Sequence, residues 1–291
     1  MKKIAILGCE NSHAEAFLNA VRKNEAFADV EVIGVYSDER PAMEKLHDKF
    51  GVAMMTDYAE AVGKIDGLVV TARHGGNHYK YAKPYIESGI PMFIDKPITV
   101  TEAEAVEFMQ ALRARGVRVS GGSSLKQDVF VRQLRQEAER QVGGPTLGGY
   151  VRAPFERENS YGGFSFYAQH LVEMVSEIFG RFPLSVTAKE NGRQMHVLFH
   201  YENYDCVGLY CDENYHYYVS RMSRDASTGF KIPTSNSGDW FREEFKEFYG
   251  LLSGKKQTLT YEEFIAPVFI INAIERSMQS GKEEPVNKIA L

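Results

Sequence analysis

Short apolar runs alternate with amphipathic stretches through the first 121 residues of the chain. Between the runs, apolar residues recur at helical spacing, as Phe17, Ala20 and Val21 do. Strands that alternate with helices in this way are typical of βαβ units and of a doubly wound parallel sheet. The pattern predicts strands over 2–7, 30–36, 67–71, 91–94 and 117–121, and helices from about 12 onward and over 41–50, 79–88 and 101–115.

The pattern changes from about Ser123. Tyrosine- and valine-rich strands joined by short turns must be antiparallel, and they are predicted over 194–201, 206–211 and 215–221, after a helix over 129–140. A late helix over 239–252 places Phe241, Phe245 and Phe248 on one face, which indicates a core or interface role. The predicted fold class is therefore α/β, with a Rossmann-like dinucleotide-binding domain over 1–122. An α+β domain with an open, mainly antiparallel sheet follows over 123–291, for substrate binding and oligomerisation.

Composition and charge argue against several kinds of partner and site. A net charge of −5 argues against a nucleic-acid partner, which needs a clustered basic face. No apolar run approaches the roughly 20 residues of a membrane span, and three cysteines indicate a reduced, cytoplasmic setting rather than a disulfide framework. His196 and His200 share one strand face without further ligands at zinc spacing, so no metal is expected. Because helices cover only one face of an open sheet, the other face predicts a homodimer or homotetramer.

The turn after the first predicted strand reads Gly8-Cys9-Glu10-Asn11-Ser12-His13. A dinucleotide fingerprint carries three glycines here, since glycine lets the backbone approach the pyrophosphate. Only the first glycine is present, and Glu10 places a carboxylate near the expected phosphates. Free amides at the start of the following helix still favour an anion. The candidate cofactor contacts are Gly8, Glu10, Asn11, Ser12 and His13, although Asn11 and Ser12 serve equally well as helix caps, with Ser12 the predicted N-cap.

The second predicted strand is followed by Ser37, Asp38 and Arg40. An acidic side chain at this position holds the adenosine ribose hydroxyls of NAD, whereas serine with a nearby arginine suits the 2′-phosphate of NADP. Both patterns are present, so the sequence leaves NAD and NADP open.

Lys96 is the first residue to suspect of catalysis. It stands in Ile94-Asp95-Lys96-Pro97, where a parallel strand would end, and strand carboxyl ends line the ligand crevice of an open α/β sheet. Lysine is also easily tuned by burial into an acid or a base. A surface lysine before a turn proline is the alternative reading.

Together these motifs resemble the glucose–fructose oxidoreductase, inositol dehydrogenase and rhizopine-catabolism family of NAD(P)-dependent oxidoreductases. Members carry Thr-Pro-Asn-x-x-His, a helix, and then Glu-Lys-Pro. This chain has Thr71, Ala72 and Arg73, then His78, and then Asp95-Lys96-Pro97, with two extra residues between Thr71 and His78. The second domain of the family shows Gly-Gly and then Asp-x-Gly-x-His-x-x-Asp, which the chain matches with Gly162-Gly163 and with the segment from Phe166 through His170 to Glu173.

The resemblance implies roles for these residues. Lys96 would contact the reacting oxygen and the nicotinamide, and His170 would be the acid/base of a hydride transfer between nicotinamide and a sugar, polyol or related small molecule. The cofactor would be NAD or NADP. Its further contacts would come from the motif residues of the first domain: Thr71, Ala72, Arg73, His78, Asp95 and Pro97.

One departure from the family concerns the substrate. Phe166 stands where members carry an aspartate, and a phenyl ring accepts neither a proton nor a hydroxyl hydrogen bond. The substrate is therefore expected to be less polyhydroxylated than a typical sugar, or catalysis to be weakened. Lys126, Tyr161 and Tyr167 are further candidate substrate contacts, and Glu173 is a candidate orienter of His170. Two alternatives stay open: a nucleotide-binding or ligand-sensing protein of the same fold, and an enzyme that uses a tightly held NAD only transiently.

Overall fold

The computed structural model describes residues 1–291, apart from the side chain of Asn236. The chain divides into two compact units. The first unit comprises Met1–Gly122, Phe241–Phe264 and Leu291, and the second comprises Ser123–Trp240 and Ile265–Ala290. The first unit thus includes a late segment, 241–264, that lies within the predicted 123–291 domain.

The first unit is built on a five-stranded parallel sheet in the order β2-β1-β3-β4-β5. Its buried β-branched strands and intervening helices give the predicted doubly wound sheet. The strands are β1 (Lys2–Leu7), β2 (Val30–Tyr36), β3 (Gly67–Val70), β4 (Met92–Asp95) and β5 (Val119–Gly122); the helices are α1 (Ser12–Lys23), α2 (Arg40–Phe50), α3 (Gly76–Ala82) and α4 (Glu102–Ala114). Strand order reverses between β1 and β3, and ligands of such sheets bind at the carboxyl ends of the strands at this point.

Helix boundaries depart from prediction at two places. Asn11, not Ser12, caps α1: its side chain accepts a 2.8 Å hydrogen bond from the His13 amide. The predicted helix over 79–88 is instead α3 followed by a 3₁₀ helix, Lys83–Ser88. Pro84 lacks an amide hydrogen, which explains the change of helix type. The predicted cap at Thr101 is confirmed by its 3.2 Å bond from the Glu104 amide.

The late aromatic stripe packs in the core, as predicted. It lies on a helix spanning Ser237–Leu252, and Phe245 and Phe248 are buried with the β1–α1 core. The Phe245 ring lies 4.8 Å from Phe27 and 5.8 Å from Phe17. These contacts explain why a segment so late in the chain belongs to the first unit.

The second unit is built on a seven-stranded sheet, mainly antiparallel with one parallel pair. Its order is β11-β10-β6-β9-β8-β7-β12. The strands are β6 (Thr146–Pro154), β7 (Ser185–Asn191), β8 (Gln194–His200), β9 (Asp205–Cys211), β10 (Tyr217–Ser223), β11 (Ser227–Ile232) and β12 (Glu284–Pro285). The helices are α5 (Val129–Glu139), α6 (Ser165–Phe179) and most of α8 (Tyr261–Ser280), whereas α7 (Ser237–Leu252) belongs to the first unit from Phe241 onward. The predicted fold class, a Rossmann-like domain with a second α+β domain, is confirmed.

The two faces of this second sheet differ. One face joins buried residues of α5, α6 and α8 in a single core, with Val197 and Val219 among its members. On the other face Leu198 is 38% exposed and its cross-strand partner Val207 is 36% exposed. Tyr150, on β6, pairs with Val207 in turn. An apolar row thus runs across the uncovered face.

None of the helices described over 1–291 is long and apolar enough to cross a membrane. Among the described side chains, no group of three or more His, Cys, Asp or Glu residues is arranged to hold a metal ion. The cysteines Cys9, Cys206 and Cys211 are buried and free.

Candidate active site

The turn after β1 requires glycine at its first position. Gly8 has φ +78°, and a Cβ added there would lie 2.3 Å from the Ala72 backbone nitrogen. Thr71 closes the same turn, because its hydroxyl donates a 2.7 Å hydrogen bond to the Gly8 carbonyl. Asn11 donates to the Thr71 carbonyl at 2.5 Å. The turns after β1 and β3 are therefore fastened together at the end of the sheet where a dinucleotide is expected.

Glu10 occupies the second glycine position of the fingerprint and bridges three strand ends. One carboxylate oxygen accepts from the Arg73 amide at 2.8 Å, and the other accepts from the Ser37 hydroxyl at 2.9 Å. Ser12, by contrast, is exposed in the first turn of α1, whose amides have no carbonyl partner within the helix and favour an anion. The loop therefore offers both an anion-binding helix end and a fixed negative charge.

Asp38 is held at the end of β2 by two phenols. The Tyr36 and Tyr81 hydroxyls donate to its two oxygens at 2.7 and 2.8 Å, and Lys80 lies 3.5 Å away. Chiefly because of the Tyr36 bond, the pKa of Asp38 lies below its ordinary value, and that of Tyr36 is raised to about 12. Asp38 stays exposed and ionised, with lone pairs left for ribose hydroxyls. Arg40, the candidate 2′-phosphate ligand, pairs with Glu44 at 2.8 Å on the exposed side of α2.

His78 and His13 occupy different environments. Both ring nitrogens of the fully buried His78 face backbone carbonyls, those of Ala72 and Ile98, and burial lowers its pKa. His78 therefore shapes the turn after β3, and this geometry gives its predicted cofactor contact no support. His13 stands at the third glycine position, with Nδ1 2.5 Å from Asp95 Oδ2.

Asp95 ends β4 inside the protein, with no exposed surface. Burial opposes its ionisation, but His13 and then Lys96 outweigh that cost, so its pKa lies below the ordinary value. Its other oxygen accepts a 2.7 Å bond from the Lys96 amide. Lys96 itself is 6% exposed and precedes Pro97 through a cis peptide bond. The reading of Lys96 as a surface lysine is therefore wrong: it is a buried lysine at the ligand edge of the sheet.

His170 lies on α6 in the second unit and is 7% exposed. Its Nδ1 lies 2.7 Å from the hydroxyl of Ser123, which is fully buried. Glu173 does not hold the imidazole in this way: its Oε1 accepts from the Gln169 side chain at 2.8 Å and from the Ser123 amide at 3.3 Å. The ring is thus held by a serine that the sequence motif did not single out.

Aromatic rings gather around His170. Tyr167 lies 5.6 Å from the imidazole and 4.9 Å from Phe166, which lies 5.4 Å from Tyr161. Tyr217 approaches His170 from β10 at 6.1 Å. Four of the predicted substrate residues therefore share one aromatic neighbourhood: Tyr161, Phe166, Tyr167 and His170. Lys126 is 7% exposed, with its ammonium 4.0 Å from Glu173, so it is buried rather than at the surface.

The structure thus groups the predicted residues within each unit. In the first unit they lie at the carboxyl ends of β1 to β4, and in the second they lie around His170. Sequence reasoning missed Ser123, Tyr36 and Tyr81. Tyr36 carried a signal, since it stands two residues before the candidate ribose carboxylate Asp38. Tyr81, which lies 43 positions from Asp38, and Ser123, which lies outside every motif, carried none.

The first part of the chain matches a known protein family. A family model described as an oxidoreductase family with an NAD-binding Rossmann fold matches residues 2–123. Inositol 2-dehydrogenase of Acidiphilium cryptum is 30% identical over 126 residues, which is 43% of this chain and 36% of that protein. The match therefore spans about a third of that relative's length.

Solved structures resemble the whole chain. A myo-inositol dehydrogenase from Corynebacterium glutamicum superposes with a TM-score of 0.84 at 15% identity, covering 99% of both chains. GenD2 from gentamicin A biosynthesis, solved in complex with NAD, has a TM-score of 0.86 at 15% identity, covering 99% of this chain and 97% of that one. At such identities the likeness shows the fold. Residues 2–123 therefore match an oxidoreductase family with an NAD-binding Rossmann fold, and the whole chain shares the fold of these dehydrogenase structures.

Proposed function

We propose that the protein is an NAD(P)-dependent oxidoreductase that moves a hydride between nicotinamide and a hydroxyl or carbonyl carbon of a small molecule. The observation that carries this proposal is Lys96, a lysine 6% exposed at the end of β4 and next to a buried carboxylate, in an NAD-binding Rossmann fold. A buried ammonium at the ligand edge stabilises negative charge on a substrate oxygen. It can also exchange a proton with that oxygen.

The first unit has the parts that a dinucleotide requires. Gly8 provides a close backbone approach, the first turn of α1 provides free amides, and Asp38 provides a fixed carboxylate for ribose hydroxyls. When bound, the cofactor would accept or supply the hydride. Lys96 would hold the charge and the proton of the reacting oxygen. In the second unit, His170 is the proposed hydrogen-bonding contact to substrate.

We expect the protein to bind NADH more tightly than NADPH. Glu10 and Asp38 both place carboxylates at strand ends of this edge, and a 2′-phosphate would meet Asp38 rather than the paired Arg40. Titration calorimetry should give a micromolar dissociation constant for NADH and, by like-charge repulsion, one about tenfold or more weaker for NADPH. In Asp38→Asn, whose amide oxygen can still accept from one of the two tyrosines while its NH2 group donates to the other, the difference should shrink.

Asp48→Asn is the matched control, since Asp48 is exposed on α2 away from the strand ends. Equal affinity for the two cofactors in the unchanged protein would contradict the preference. The absence of binding by either cofactor at about millimolar concentration would contradict the oxidoreductase proposal itself. That result would favour a ligand-sensing protein, the second candidate, for which Glu10 in place of a glycine is the supporting observation.

The substrate class follows from the aromatic neighbourhood of His170. Phe166, Tyr161 and Tyr167 offer ring faces where a carboxylate would have bound hydroxyl groups. Ring faces bind flat or apolar surfaces of a ligand. We therefore propose a cyclic substrate of the sugar or polyol type, or a related compound, with one reacting hydroxyl or carbonyl and fewer free hydroxyls than a simple sugar.

We propose that the uncovered sheet face of the second unit forms a homodimer or homotetramer. Leu198 and Val207 are exposed partners on adjacent strands, and apolar rows of this kind are typical of interfaces. Replacing both with aspartate would place charges at the centre of the interface. Sedimentation velocity should show an oligomer for the unchanged protein and a 32.9 kDa species for the double variant.

Val62→Asp is the control for this experiment, because Val62 is similarly exposed, at 39%, in the first unit. It should leave the oligomer intact. A monomeric unchanged protein, or a double variant of undiminished mass, would argue against the interface.

A further inference from the structure

We infer that Ser123 is a positioning residue that fixes neutral His170 with its proton on Nε2, so that the ring donates a hydrogen bond rather than accepting a proton there. The inference rests on the proposed function for its catalytic meaning, although the proton position itself does not. It concerns four groups within the second unit: Ser123, Leu125, His170 and Glu173.

The Ser123 hydroxyl has two hydrogen-bond partners. Its Oγ accepts a 3.3 Å bond from the Leu125 amide, and it lies 2.7 Å from His170 Nδ1. A hydroxyl has one hydrogen to donate. Among the described residues of the chain, the contact that can receive this hydrogen is the one with His170 Nδ1.

Burial makes the donation from Ser123 necessary. Ser123 has no exposed surface, so bulk water does not reach its hydroxyl as an alternative acceptor. A buried donor left without an acceptor costs about 1–3 kcal/mol. Donation to Nδ1 requires a lone pair on that nitrogen, and in the neutral ring the proton is then on Nε2.

Glu173 fixes Ser123 rather than the imidazole. Its Oε1 accepts from the Ser123 amide at 3.3 Å and from Gln169 at 2.8 Å, and its Oε2 lies 4.0 Å from the Lys126 ammonium. A carboxylate that accepted directly from Nδ1 would leave Nε2 able to take a proton, as in a general base. A serine that donates to Nδ1 instead keeps the proton on Nε2, so that Nε2 cannot take another.

The consequence is a division of roles between the two predicted catalytic residues. With its proton on Nε2, His170 would donate a hydrogen bond to a substrate oxygen and would not take a proton from it. Proton exchange with substrate would then be the role proposed above for Lys96. The family resemblance, by contrast, implied that His170 exchanges the proton.

The test is the position of the His170 proton in the full-length, cofactor-free protein. The eight histidines are labelled with ¹⁵N, and two-bond ¹⁵N–¹H correlation distinguishes protonated from unprotonated ring nitrogens at a pH where the ring is neutral. His170→Gln assigns the signal. We expect a pyridine-like Nδ1 and a pyrrole-like Nε2, and in Ser123→Ala the loss of the pyridine-like Nδ1 position towards an averaged value.

Two further variants separate this role from a merely structural one. Ser123→Thr keeps the hydroxyl and should retain the unchanged protein's pattern, whereas Ser124→Ala removes a neighbouring buried serine and should not alter it. A pyrrole-like Nδ1 in the unchanged protein, or an Ser123→Ala pattern identical to it, would overturn the inference. If Ser123→Ala fails to fold, the unchanged protein and Ser123→Thr still decide the matter. Failure to bind NADH would overturn the proposed function and leave this proton assignment standing.

Discussion

Replacing Lys96 with methionine should lower kcat by about a thousandfold or more while leaving the protein folded. Methionine has a similar length and is well tolerated in buried positions, so the change removes the ammonium and little packing volume. The reacting oxygen then loses both its stabilising charge and its proton source. The measurement is the rate of NADH formation or consumption with the best substrate from a panel of cyclic hydroxy and keto compounds.

The variant Lys96→Arg separates the contribution of the positive charge from that of the proton. Arginine keeps the positive charge beside Asp95, but its guanidinium does not give up a proton in a protein. If the charge alone sufficed, this variant would keep much of the activity. We expect instead a loss close to that of Lys96→Met, because in our scheme Lys96 carries the proton.

Lys64→Met is the control for both variants, since Lys64 is exposed and precedes the amino end of β3, whereas Lys96 follows the carboxyl end of β4. Its kcat should equal that of the unchanged protein. Circular dichroism should show the same secondary structure in all three variants. Activity of Lys96→Met within about threefold of the unchanged protein would exclude Lys96 from catalysis.

Much of the first unit could be predicted because its signals are local. The apolar run before Gly8 and the helical spacing of Phe17, Ala20 and Val21 lie within one short segment, and so does the cap at Thr101. Each of these depends on neighbours a few residues away, which a sequence displays directly. The predicted N-cap of α1, Ser12, was one residue from the observed cap, Asn11, because asparagine and serine are about equally favoured at N-cap positions.

The interactions of the site could not be predicted because they join distant parts of the chain. Glu10 meets Ser37 across 27 positions and the Arg73 amide across 63. Ser123 meets His170 across 47 positions. No local pattern encodes such pairs. A substituted glycine fingerprint therefore indicated a weakened phosphate site, whereas the structure shows a carboxylate that links three strand ends.

The segment 241–264 was assigned to the second predicted domain for a similar reason. Its row of phenylalanines predicted that this face is buried, but it did not predict the residues against which the face packs. Phe17 and Phe27, which contact Phe245, lie more than two hundred positions earlier in the chain. Sequence order places the segment in one domain, and packing places it in the other unit.

Gly121 is the position where one added methyl group should harm the fold most. It lies on β5 opposite Ile94 with φ +130°, and a Cβ there would lie 1.9 Å from the Ile94 carbonyl oxygen. Backbone cannot move aside as a flexible side chain can, so β5 must separate from β4. We expect Gly121→Ala to destabilise the first unit by more than about 4 kcal/mol.

The measurement for Gly121→Ala is thermal unfolding, with Gly116→Ala as the matched control. Gly116 also has a positive φ, +62°, but no atom lies within 4 Å of its added Cβ. Its substitution should therefore cost about 1 kcal/mol, from backbone strain alone. Gly121→Ala should lower the unfolding midpoint by at least about 8 °C, or prevent soluble expression. Equal midpoints for the two variants would show that β5 accommodates a side chain opposite Ile94, and the strand that leads into Ser123 would then be less constrained than its geometry indicates.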